Sequence, residues 1–238
     1  MGMILTAAAH GAEVSHAMDL HGVWWNDHPV QRLVPLDGGP VPLTPKGEEL
    51  YAASQRAVAA QAAEPVTRNT VRQCLPLGPI RMLQRNYPVQ IVQKSPLVAL
   101  LYELNHVYEL IYLDQPVDPD RDPAYMGNSV GRWTPQGLQV TTTHVKAGTL
   151  LDDSGLPHSD QLRLDRLLRR TDHGRALEIT TTLSDPVMFT RPWKVRQTLT
   201  LRPDLHIEEY TCGQGQTLED RYTRARSGNL SRRTAAGF

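Results

Sequence analysis

Glu103 and Glu209 each sit in an expected strand with apolar neighbours, the setting in which a carboxyl group becomes a useful acid or base. Burial disfavours the ionised form and raises a carboxyl pKa toward neutrality, where proton transfer is most effective. His158, in Pro157-His158-Ser159, adds an imidazole that titrates near neutral pH. Arg132 and Arg166 have the fork geometry to hold a carbonyl or an anion. Tyr102 and Tyr112 supply hydroxyls that could stabilise a developing oxyanion, and Gln197 a neutral donor and acceptor. Trp133 and Trp193 would wall a pocket, although core packing explains such rings equally well. The chemistry implied is proton transfer on a small organic molecule, catalysed by Glu103, Glu209 or His158. A competing account makes each glutamate half of a structural ion pair with Arg132 or Arg166.

Strands must position these groups. From residue 80 the apolar pattern has period two, which points alternate side chains to opposite faces. Arg166 shares a face with Leu162, Leu164 and Leu168; Gln197 with Leu199 and Leu201; Glu209 with Ile207. A buried charge without a partner is costly, so an interior cavity dotted with polar groups is the expected arrangement. Strands are expected near 80–86, 89–94, 97–105, 107–113, 129–134, 137–144, 161–170, 176–184, 194–202 and 205–212, separated by turn residues such as Ser95-Pro96 and Pro135-Gln136-Gly137. Short connections favour antiparallel neighbours. The fold class is therefore mainly β: an antiparallel meander closed, or nearly closed, into a lipocalin-like (calycin-like) barrel, with a β-sandwich or a strongly curved sheet around the helix as alternatives. One N-terminal helix precedes it. Thr44 is its N-cap, Pro45 its first residue, Glu48 and Glu49 lie in the first turn, and Pro65 ends the run. The chain divides into an irregular segment at 1–42, a barrel domain with its leading helix at 43–213, and a tail at 214–238. Two loops, 115–128 and 146–160, are long enough to carry function and could close over a barrel mouth.

Composition narrows the partners. Lys plus Arg equals Asp plus Glu at 25 each in 238 residues, so bulk charge gives no reason to expect nucleic acid or an anionic membrane. No segment approaches the roughly 18 apolar residues of a membrane helix. The first ten residues lack a basic region ahead of a short apolar run, which predicts a cytoplasmic protein. Cys74 and Cys212 are then expected to be buried free thiols, with one bridge between them as the alternative in an exported protein. The basic tail, with Arg221, Arg224, Arg226, Arg232 and Arg233, has no apolar period. Nucleotide, hydrolase and zincin motifs are missing, so no cofactor is expected. Nine histidines occur without tight ligand pairs, so no metal is expected. A site built across strands from His106, His144 and His158 is the one alternative. The partner is a small-molecule substrate; the oligomeric state is open, a homodimer included.

Several motifs occur in a specific order: Cys74-Leu-Pro-Leu-Gly-Pro-Ile-Arg81, Pro88-Val-Gln-Ile-Val-Gln93, Ile111-Tyr-Leu-Asp114, Tyr125-Met-Gly-Asn-Ser-Val-Gly-Arg-Trp133, Leu156-Pro-His-Ser159, Asp185-Pro186, Phe189-Thr-Arg-Pro-Trp193 and Glu209-Tyr-Thr-Cys212. Over about residues 19–213 this order resembles a widespread bacterial family, many of whose members are exported and to which no general activity attaches. The chain departs from the family pattern at Gln115-Pro116, Asn128, Thr134–Gly137 and Glu109-Leu110, where the family usually carries Gly-Arg, His, an acidic Gly-Asp turn and an arginine. Such rewritten polar positions suit a specialised member, for example a tailoring enzyme of a biosynthetic pathway. Two functions follow: a cofactor-free dehydratase, isomerase or cyclase, or a carrier that binds a small molecule without chemistry. The charges on inward faces favour the enzyme.

Overall fold

The computed structural model describes residues 19–63 and 74–210. Nine strands close into one barrel: β1 Gly22–Trp25, β2 Val89–Lys94, β3 Leu97–Tyr102, β4 Tyr108–Leu113, β5 Asn128–Thr134, β6 Gly137–Thr143, β7 Arg163–Thr171, β8 Ala176–Ser184 and β9 Trp193–Leu201. Sequential strands pair, and β1 also pairs with β9, through Trp24↔Leu201 and Trp25↔Thr200. Closure leaves no edge of unpaired backbone groups. All pairs are antiparallel except β4–β5, which run parallel with Ile111↔Ser129 and Leu113↔Gly131 in register. A parallel pair needs its chain carried back to the starting end. Residues 114–127 make that return over the outside of the barrel.

Three expectations need correction. The stretch expected as a strand at 80–86 begins instead with helix α2, Pro79–Leu83, with Pro79 at its start and Arg81 in its last turn. A short apolar run of this kind has no distinguishing period. Gly22–Trp25, placed in an irregular segment, is β1 and completes the barrel. Residues 205–210 form no strand; the rest of that expected strand, with Cys212, lies outside the described residues, as do Pro65 and the basic tail.

Helix α1 spans Pro45–Ala63. The Thr44 hydroxyl accepts the Gly47 N–H at 2.9 Å and donates to the Val187 carbonyl at 2.7 Å, so one side chain caps the helix and ties it to the β8–β9 connection. Gly47 permits the close approach: a Cβ there would stand 2.3 Å from the Met188 carbonyl oxygen.

The barrel interior is a packed core. Val98 and Leu100 of β3, Ile111 of β4, Leu138 and Val140 of β6, Leu168 of β7, Leu177 and Ile179 of β8 and Leu199 of β9 are all buried in one cluster with Trp24. A second cluster joins Leu164, Leu183, Trp193 and Val195 to Tyr51 of α1, Ile80 of α2 and Leu151 and Leu156 of the 146–160 loop. Helices and loop thus cover one end of the barrel. The expected cavity is largely filled by aliphatic side chains, with a few polar side chains buried among them.

Candidate functional site

The polar centre of the core is an ion pair between Arg166, expected on an inward face, and Glu109, which the sequence does not single out as a site residue. Glu109 projects inward from β4, on the face it shares with Ile111 and Leu113, and Arg166 projects inward from β7. Both are buried. Arg166 Nη1 donates to Glu109 Oε2 at 3.1 Å and Nη2 donates to Oε1. Ser129 Oγ donates to Glu109 Oε1 at 2.7 Å, and Arg166 Nη2 donates to Thr142 Oγ1 at 2.8 Å, so β5 and β6 complete the ring of contacts between them. Burial works against the guanidinium charge, but Glu109 beside it outweighs that and holds the Arg166 pKa above its usual value. Tyr102 lies near the pair. Burial first, then the Glu109 charge, push its phenol well above the ordinary range. Its hydroxyl, with Arg166 Nε, Thr181 Oγ1 and Gln197 Oε1, is buried without a hydrogen-bond partner among the described residues.

The expected residues do not converge. Arg166, Gln197 and Tyr102 are inside the barrel, with Gln197 Nε2 donating to the Ile80 carbonyl at 3.3 Å. Glu103 is buried at the end of β3, where its Oε2 accepts the Glu208 N–H at 3.0 Å. Glu209 is exposed, because its segment is not a strand and the face argument fails there. Arg132 is exposed too: β5 turns Ser129, Gly131 and Trp133 inward, which puts Arg132 outside. Trp133 packs on the core edge. Trp193 is buried edge-on against Phe189, with ring centroids 5.4 Å apart. Tyr112 faces outward.

His158 is buried in the 146–160 loop with both nitrogens engaged. Nδ1 donates to the Ser159 carbonyl at 2.8 Å, which leaves Nε2 to accept the Thr149 hydroxyl at 2.6 Å. Burial lowers its pKa, against smaller opposing effects of the Ser159 carbonyl and Asp185. The unfolded chain therefore binds a proton at a pH where the folded chain does not, so stability falls as pH drops through about 6.5 toward the lower folded value. Urea denaturation at pH 7.5 and 5.5 should show this loss in wild type and a smaller one in His158→Gln. Equal losses would mean that other groups carry the acid sensitivity.

Among the described residues no group of three or more His, Cys, Asp or Glu could hold a metal, and His106, His144 and His158 form no such cluster. Cys74 is disulfide-bonded rather than a free thiol, and Cys212 lies outside the described residues. Disulfides belong to oxidising compartments, so the expected free thiols no longer support a cytoplasmic location. No described helix is long and apolar enough to cross a membrane.

The open site is on the outer wall. A cleft of about 910 Å³ lies between the outward face of β4–β5 and the 114–127 crossover. Tyr108, Leu110 and Tyr112 of β4 and Val130 of β5 line one side; Val117, Tyr125 and Met126 line the other. Tyr108 and Val117 are exposed, at 61% and 38%. One end is the turn Asn105-His106, both residues in the left-handed region with φ 58° and 51°. The Tyr210 N–H donates to His106 Nε2 at 2.6 Å, so the ring proton of neutral His106 is on Nδ1. Glu109 and Ser129 are at the floor, with the Glu109 side chain turned into the core.

The crossover is held in place. Asp114 N–H donates to the Gly131 carbonyl at 2.8 Å, and Ala124 bridges to β6's end through the His144 carbonyl at 3.0 Å and the Lys146 N–H at 2.8 Å. His144 Nε2 donates to the Pro119 carbonyl at 3.0 Å, with Nδ1 free to accept from Thr143 at 2.9 Å. Lys146 sits over the Tyr125 ring at 4.9 Å from its centroid. Gly127, at φ 68°, lets the chain press on β6; a Cβ there would lie 2.7 Å from Thr142 Cγ2. Length alone singles out the 115–128 loop, but over a wall rather than a barrel mouth. Tyr108 and Tyr125 carry no sequence signal beyond their proximity to strand and loop.

No protein-family model matches the chain, and no curated protein or solved structure matches it.

Proposed function

We propose that the protein binds a small, mainly apolar organic molecule in the cleft on its outer wall, as a binding or carrier protein. The observation that carries this reading is the preformed cleft, whose 910 Å³ falls in the range of about 300–1,000 Å³ of small-molecule sites. Three tyrosines, Met126, Leu110 and three valines give it apolar surface with hydroxyls at the edges. Its charges are compensated: Glu109 by Arg166, and Asp118 by Arg121 at 3.6 Å. The acid–base reading has less support. Glu103, Glu209 and His158 line no part of the cleft, and the carboxylate at its floor is committed to Arg166 and Ser129. A carboxylate in that state is a poor base. The family resemblance brings no activity with it and leaves the substrate open.

The test is the fluorescence of the neutral probe N-phenyl-1-naphthylamine. Its emission should rise on binding the wild type. Leu110→Trp, which puts a large ring into the cleft from a half-buried outward position, should weaken binding by about tenfold or more, roughly 1.4 kcal/mol, with the circular dichroism unchanged. Equal affinity in a folded Leu110→Trp protein would remove the cleft as the site.

A further inference from the structure

The outer wall carries a second cleft, of about 820 Å³, that shares Gln115, Pro116 and Val130 with the first. Its chemistry is different. A row of outward positions crosses four strand pairs in register: Val130↔Thr141, Thr141↔Asp165, Asp165↔Thr182 and Thr182↔Lys194. The second cleft is therefore lined by threonines and charged groups where the first is walled by tyrosines and leucine. Most of its charge is spent internally. Asp165 accepts Thr141 Oγ1 at 2.7 Å and both Nε and Nη2 of Arg163 at 2.8 Å, which saturates the carboxylate and neutralises that arginine.

Two cations are left over. Arg132 Nε donates only to the neutral Gln139 Oε1 at 3.1 Å, and neither Arg132 nor Lys194 forms an ion pair among the described residues. Asp114, the other carboxylate in the lining, pairs with neither of them. An uncompensated guanidinium beside hydroxyl donors is a site for an anionic group. Arg132 stands two residues along β5 from Val130, about 6–7 Å at the rise of a strand, and Val130 walls both clefts. A molecule whose apolar part fills the first cleft can reach it.

We infer that the ligand is an amphiphile that spans both clefts, with its apolar body against Tyr108, Tyr112 and Leu110 and an anionic head at Arg132 and Lys194. This rests on the binding reading above and adds the head group to it. Carboxylate and sulfate heads share the chemistry that Arg132 recognises.

Competition against N-phenyl-1-naphthylamine at low salt separates the two levels of the argument. Sodium octanoate, sodium octyl sulfate and 1-octanol have the same tail. At least one anion should displace the probe at about fivefold lower concentration than 1-octanol, the upper range for an exposed ion pair. The anion that does so identifies the head. Arg132→Gln should abolish that advantage and leave 1-octanol unchanged; both replaced positions, Arg132 and Lys194, are exposed, so folding is not at issue. Equal displacement by all three competitors in wild type overturns the amphiphile, as does an anion preference that survives both Arg132→Gln and Lys194→Gln. In either case Leu110→Trp still weakens every competitor and the cleft stands. If Leu110→Trp weakens none of them, the cleft reading itself has failed and the head group falls with it.

Discussion

Arg166→Met should cost about 3–5 kcal/mol of folding stability, the usual penalty for leaving one member of a buried ion pair alone. The carboxylate of Glu109 would keep Ser129 as a donor but lose both guanidinium bonds, in a core whose other walls are aliphatic. Adding Glu109→Leu should recover most of the loss, because matched apolar groups need no desolvated charge. Ser129 and Thr142, 2.8 Å apart, still satisfy one another in the double variant. Urea denaturation of the two single variants and the double variant gives the coupling. A double variant as unstable as the worse single one would mean that the pair is required for the core and not merely tolerated by it.

Trp24→Ala should be comparably damaging, at about 3–5 kcal/mol. Trp24 is fully buried, and it sits on the short strand that joins the two ends of the sheet: opposite Val89 on β2 and Leu201 on β9. Its Nε1 donates to the Leu20 carbonyl at 2.9 Å, and the Arg170 guanidinium lies 5.2 Å from the ring centroid. Removing the ring leaves a void at the seam and frees both contacts. For a protein of this size the melting temperature should fall by roughly 8–15 °C. A fall below about 2 °C would show that β1 contributes little to closure.

The barrel was legible from alternation because β2 to β9 each bury one face and leave the other half-buried or exposed, and β2 and β8 fall at the expected residues, Val89–Lys94 and Ala176–Ser184. Gly22–Trp25 was not legible: four residues with three apolar side chains in succession have no period. Short apolar pieces behave the same way at Pro79–Leu83, where Pro79 rather than periodicity decides for helix. The parallel β4–β5 pairing was hidden because pairing direction depends on where the crossover lands, and a loop's length does not say which face it covers.

The polar interior was half legible. Arg166 and Gln197 were placed inside by their apolar neighbours. Glu109 shows the same signal, alternating with Ile111 and Leu113, yet in Tyr108–Leu113 the outward residues are also apolar, so the alternation of polarity is masked. Arg132 and Glu209 failed for register and for secondary structure respectively, since a one-residue slip inverts a face. The cleft was not legible at all. It is assembled from side chains that a strand turns outward and a loop then covers.

The most direct measurement is a two-dimensional NMR spectrum of the protein with ring-labelled tyrosine, titrated with 1-octanol. If the ligand site is the outer cleft, the resonances of Tyr108, Tyr112 and Tyr125 should shift in a saturable way. Tyr102 in the barrel core and Tyr51 of α1 should stay in place. Shifts at Tyr102 with none at Tyr112 and Tyr125 would put the ligand inside the barrel and contradict the account.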